Sequence, residues 1–168
     1  MKTLKALTTL LTLMLVSFLS VSAAVVTDSS NTDEDIRTIT IIGTDRMNFS
    51  VEEITASPGE RIKVILKVES RIPKSAMAHN VVFLKEGTDA EAFANASAMA
   101  AGNQYIAPEL KEQIIAATDL AGGGETVEIT FTVPEEAGNY EYICSFPGHY
   151  YAGMKGTLVV KEALADKN

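Results

Sequence analysis

The chain has 168 residues, 46% of them hydrophobic, a formal charge of −8, one cysteine, two histidines and no tryptophan. An acidic chain of this kind lacks the cationic footprint that nucleic acid requires, repels anionic lipid heads and favours a basic partner. A single cysteine excludes an internal disulfide.

The chain opens "MKTLKALTTLLTLMLVSFLSVSAA", with Lys2 and Lys5 ahead of an apolar run and small residues behind it. This is the order of a secretory signal peptide over residues 1–24, cleaved after Ala23 or Ala24. The alternative is a retained anchor, but the apolar part is short and interrupted by Thr and Ser, so it would span a bilayer poorly. No cysteine stands near the cleavage point to carry a lipid, and nothing later is apolar enough to span. Cleavage leaves about 144 residues, enough for one domain with a real core, and removing Lys2 and Lys5 takes the charge from −8 to −10. The expected location is the periplasm, with no membrane insertion after cleavage. A lone cysteine in an oxidising compartment is a hazard unless it pairs between chains, does chemistry or holds a metal.

Residues 25–35, "VVTDSSNTDED", read as an acidic flexible linker. From Ile36 the pattern becomes that of strands. "IRTITIIG" alternates and is β-branched, "MNFSVEEITA" is extended, and "SPGE" at 57–60 is a turn. "RIKVILKV" places Ile62, Val64, Leu66 and Val68 on one face, and "HNVVFL" at 79–84 is a further strand. "TDAEAFANASAMAAG" is alanine-rich, with Thr88 or Asp89 as cap and Gly102 as stop, and "APELKEQIIAA" has Pro108 at a helical first turn. These predict one or two short helices inserted in a β protein, with Phe93 and Met99 as packing residues. "TVEITFTV" alternates again, "PEEAGNY" turns with Gly138-Asn139 at its tip, "YEYIC" is a strand and "MKGTLVVKEAL" supplies the last. The sum is an all-β domain over residues 36–162, an antiparallel two-sheet Greek-key sandwich of about eight strands, followed by a tail at 163–168.

The chemistry concentrates in "CSFPGHYYAGM", which sets Cys144, His149 and Met154 five residues apart on the loop between two strands. A thiol, an imidazole and a thioether form three sides of a metal pocket. His79, the other histidine, starts a strand whose end can lie beside Cys144. Soft thiolate and thioether select copper, and two His, one Cys and a weak axial Met is the blue-copper arrangement. Zinc would take the histidines and the cysteine, but thioether is not among its usual ligands.

The chain resembles the cupredoxins, the azurin branch in particular, over about Ile36 to Lys161. The helical insertion and four further segments carry the likeness: "IPKSAMAHNVVF" (72–83), "YIAPEL" (105–110), "GETVEITFTV" (124–133) and "CSFPGHYYAGMKGTLVV" (144–160). The resemblance implies one type 1 copper ion, with His79, Cys144 and His149 as strong equatorial ligands and Met154 as the weak axial one. It implies that Asn80 ties the His79 strand to the ligand loop through Ser145, and that the amides of Asn80 and Phe146 point at the Cys144 sulfur. Ala78 stands where azurins have a glycine whose carbonyl lies near the metal, so Ala78 is a candidate for a weak backbone contact. Four residues separate His149 from Met154, a spacing similar to that of plastocyanin, rusticyanin or auracyanin, and the azurin disulfide is absent.

His149 lies on a loop, so its far edge is expected near the surface within an apolar rim of Ala76, Met77, Phe146, Pro147, Ala152 and Gly153. Such a rim suits weak contacts with redox proteins, a c-type cytochrome or a membrane-bound or periplasmic reductase or oxidase, docking on a monomer. Tyr150 and Tyr151 are open between rim packing and function. Among the rival readings, a cysteine nucleophile lacks an orienting group and an oxyanion motif. A multicopper enzyme needs more than two histidines. A copper storage or delivery protein would use the same ligands and remains the alternative to an electron carrier.

Overall fold

The computed structural model describes residues 36–162; the expected signal peptide, the acidic linker and the tail at 163–168 lie outside the described residues. Ten strands and one α-helix make up this part of the chain. β1 (Arg37–Thr44), β3 (Arg61–Glu69) and β8 (Thr126–Thr132) form one sheet in the order β1-β3-β8. β2 (Glu53–Ala56), β10 (Lys155–Val160), β9 (Gly138–Ile143), β5 (Val82–Leu84) and β6 (Ile114–Ala117) form the other in that order. β4 (Ala78–His79) and β7 (Ala121–Gly122) make a small separate ladder.

Alternation decides which side chains enter the sandwich. Every second residue of β3 is buried, and Ile62, Val64 and Leu66 have no exposure, facing Phe83, Tyr142 and Leu158 of the other sheet. Each such side chain contributes about 1.5–3 kcal/mol on burial. Phe131, Phe83, Tyr142 and Phe49 form a file of rings with centroids 4.8, 5.2 and 5.8 Å apart. The Tyr142 hydroxyl donates to the Val51 carbonyl at 2.6 Å, which satisfies the one polar atom of that file.

The pairing is mixed rather than wholly antiparallel: β1 runs parallel to β3, and β2 parallel to β10. β2 lies in the opposite sheet, so the chain reverses twice between β1 and β3 and returns in its original direction. Parallel neighbours need such a crossover.

Five further expectations change. The strand expected over 79–84 is interrupted at Asn80–Val81: β4 pairs with β7, whereas β5 pairs with β6 and β9. The helix α1 (Ala90–Ala98) is capped by Asp89, which accepts from the Ala92 amide at 3.0 Å, but it ends at Met99 before Gly102. Its inward stripe is Ala90, Phe93, Ala94 and Ser97, at helical spacing; Met99 falls off that stripe and is 88% exposed. The helical run expected after Pro108 stops at Gln113, and β-branched Ile114 and Ile115 open β6 against β5. Gly138 and Asn139, expected at a turn tip, instead begin β9 opposite Val160 and Val159. No helix among the described residues is long and apolar enough to cross a membrane.

Candidate metal centre

Cys144 follows β9 and Met154 precedes β10, so the register of these neighbours holds the two ends of the ligand loop together. The Cys144 amide donates to the Met154 carbonyl at 3.0 Å, and the Met154 amide donates to the His149 carbonyl at 3.0 Å. Turns fill the space between, with Ala152 bonded to Gly148 and Gly153 to Tyr150. Gly148 and Gly153 sit at φ 83° and 96°, a region where side chains are strained. The loop is thus built around its three candidate ligands.

The fourth side chain arrives from elsewhere. The break at Asn80–Val81 leaves His79 at the end of the β4–β7 ladder, facing the loop. His79 Nδ1 lies 3.1 Å from His149 Nδ1, and the Cys144 sulfur lies 3.9 and 3.4 Å from these two atoms. All three residues are buried, and they form a cluster of potential metal donors among the described residues. The separations are of the size adopted by donors that share one ion at bond lengths of about 2.0–2.3 Å. Met154 is fully buried, and its methyl group shares a space beside Gly43 with the His79 ring. The Ala78 carbonyl stands 4.0 Å from the Cys144 sulfur.

Burial governs the protonation of these groups. Both imidazoles are held down at about 4; His149 is lowered further by His79, whereas Asp45 pulls His79 partly back. They are neutral at neutral pH, with lone pairs available. Nε2 of His79 is buried with no partner in hydrogen-bonding geometry, although the Thr44 carbonyl is close enough to favour its proton. Burial pushes the Cys144 thiol up to about 12, partly offset by the backbone amides of Asn80 and Phe146. Reactive cysteines are exposed and have lowered pKa values, so this thiol is no nucleophile. A bound cation would instead deprotonate it outright.

Asn80 joins the two sides. Its Nδ2 donates to the Ser145 hydroxyl at 2.8 Å, and its Oδ1 accepts from the Ser145 amide at 2.9 Å. The Ser145 hydroxyl in turn donates to the Tyr105 carbonyl at 2.5 Å. Tyr105 and its neighbour Gln104 have left-handed backbones at φ 58° and 56°, and the Tyr105 ring packs on Phe146 at 4.8 Å. Sequence reasoning missed this support, because no residue type there announces the conformation. It also missed Gly43, for which there was a signal: a glycine inside an alternating strand marks a close approach.

Around the site, Ala76, Pro147, Ala152 and Gly153 are exposed, and Met77 is half-buried. Phe146 is only 8% exposed and stacks on His149 with centroids 4.8 Å apart. As a result the His149 ring is 2% exposed, and its expected surface edge is nearly closed. Tyr151 is 58% exposed, and its hydroxyl reaches Asn95 Oδ1 at 2.8 Å on α1.

A sequence model described as "Copper binding proteins, plastocyanin/azurin family" matches residues 37–161. The chain belongs to this family. It is similar to an azurin of Alcaligenes faecalis, 35% identical over 123 residues that cover 71% of this chain and 94% of the relative. Auracyanin-A of Chloroflexus aurantiacus is 40% identical over 117 residues, covering 69% of this chain and 68% of the relative. Its solved structure, titled a "blue" copper protein, aligns with a TM-score of 0.64 over 74% of this chain and 98% of that one. An azurin of Methylomonas sp. strain J aligns with a TM-score of 0.66 and 31% identity, over 75% and 98%. In this plastocyanin/azurin frame His79, Cys144 and His149 form the site for one copper ion, and the donor set fits that metal: two neutral imidazoles and a buried sulfur.

Proposed function

We propose that this protein is a soluble periplasmic carrier of single electrons between larger redox partners, with copper held by His79, Cys144, His149 and the weak ligand Met154. The observation that carries this reading is the convergence of three buried donors, 3.1 to 3.9 Å apart, from two separately anchored parts of the chain. Copper bound there supplies a one-electron couple. The chain keeps the donors in place: β4 and its ladder hold His79, the backbone bonds of the ligand loop hold the other donors, and Asn80 clamps the two. A frame that does not rearrange keeps the barrier to electron exchange low. The amides of Asn80 and Phe146 favour the thiolate form, and Phe146 screens the site from water.

The surface above the site is uncharged at Ala76, Met77, Pro147, Ala152 and Gly153. A face of this kind suits brief contacts with a c-type cytochrome or a membrane-bound or periplasmic reductase or oxidase. The export signal read in residues 1–24 supports the location. The protein converts no substrate of its own. Storage or delivery would be better served by sulfur open to a receiving protein, and Cys144 has no exposure.

The test is to add Cu(II) to purified apo protein and record visible and EPR spectra. An intense visible thiolate band, with reversible reduction and no loss of metal, is expected. A colourless complex, or release of the ion on reduction, would overturn the proposal.

A further inference from the structure

β1 presents Ile39, Ile41 and Gly43 in succession to the interior. A third large aliphatic residue would continue the pattern, yet glycine stands at the level of the metal donors. Its backbone does not require it: Gly43 is absent from the positive-φ glycines and pairs regularly with Val68 of β3. Glycine inside a strand is a cost in stability, so the reason must be space. A Cβ built at position 43 would stand 3.1 Å from Cδ2 of His79 and 3.2 Å from Cε of Met154. The volume of the missing side chain is therefore occupied by the His79 imidazole and the Met154 methyl group together.

These two neighbours differ in how they would yield. The His79 ring is carried by a paired strand and packs on His149 with centroids 4.8 Å apart. Met154 ends in a methyl group on a chain of three rotatable bonds, and thioether side chains adapt readily to local shape. Pressure from position 43 would displace the methionine first. Resting on the copper-carrier reading, we propose that Gly43 is the spacer that sets how closely the Met154 thioether approaches the His79–Cys144–His149 donors, so that β1 tunes the redox couple without touching the metal.

Gly43→Ala in the mature protein tests this. In the apo form, labelled methionine methyl resonances are recorded by NMR, with Met154 assigned through Met154→Val. The Met154 methyl signal should move away from its wild-type position beside the His79 ring. In the copper-loaded form the reduction potential and the EPR hyperfine splitting should shift while the intense visible band persists. Both copper signals should respond much less to Gly43→Ala in a Met154→Val background, where no Cε remains to be displaced. An unmoved methyl resonance and an unchanged potential in a folded variant would overturn the proposal. So would an equal shift in both backgrounds, which would assign the effect to the imidazole. If Gly43→Ala alone fails to fold, Gly43→Ala/Met154→Val should recover folding, and failure to do so counts against the spacer. The apo measurement keeps the two questions apart: a protein that rejects copper sinks the carrier reading, while the methyl signal still decides the role of Gly43.

Discussion

The two sides of the metal centre are built by different means. On one side, Cys144, His149 and Met154 come from eleven consecutive residues, shaped by turns and by backbone bonds within the loop. On the other, His79 lies 65 residues before Cys144 and is placed by a two-residue ladder at the point where the chain leaves one set of strands for another. The loop determines which atoms are offered. The strand determines whether they meet. Between its ends the loop is shaped by its own turns, although β9 and β10 hold those ends together, whereas the strand side depends on pairing between distant segments. Asn80 is the joint through which one constrains the other.

That contrast can be attacked from the loop first, where the largest effect is expected. Cys144→Ser should abolish the intense visible band of the copper-loaded protein while far-UV circular dichroism of the apo form is retained. A variant that stays blue would remove the loop from the site. Acid strikes both sides together. The folded apo protein holds its imidazoles at about 4 against an ordinary 6.5, so it refuses protons that the unfolded chain accepts. Stability is therefore full above the unfolded value and is lost as pH falls through the window toward the folded value. The urea midpoint of the apo protein should drop between about pH 7 and about pH 4.5, by the equivalent of a few kcal/mol, and by roughly half as much in His149→Gln. A midpoint flat across that window would mean that the site opens to water.

The joint is the next target. Asn80→Ala leaves the Ser145 amide without its buried acceptor and should cost about 1–3 kcal/mol in urea unfolding of the apo form. Combined with Ser145→Ala the losses should be less than additive, since both substitutions break one network. Strict additivity would mean that strand and loop are held independently. The smallest effect is expected at the rim. Ala152→Glu should leave the visible spectrum and stability unchanged and slow electron exchange with a partner protein several-fold. Unaltered exchange would move the docking face elsewhere.

Much of this was legible in the chain. The alternation in β1, β3 and β8 identified inward faces, because the pleat sends successive side chains to opposite sides. The cap was readable as Thr88 or Asp89, because a capping side chain bonds an amide only two or three residues away, and the structure selects Asp89. Where pairing decided the outcome, local pattern was insufficient. Ile114 and Ile115 follow a run suited to a helix and become a strand because β5 offers an edge there. Gly138-Asn139 has the composition of a turn tip, yet it extends β9 because Val159 and Val160 lie opposite. Met99 looked like a core residue by type and is exposed by its angle on the helix.

The residues alone determined the chemistry of the centre: one thiol, two imidazoles and a thioether, soft enough to prefer copper, on strands whose inward faces could be counted. Only the tertiary structure decided that His79 stands 3.1 Å from His149, that β1 and β2 run parallel to their neighbours, and that Gly43 makes room for an imidazole and a methyl group. The physical reason is range. Ligand softness and side-chain alternation are properties of single residues and near neighbours, whereas the meeting of distant segments depends on packing the whole core at once.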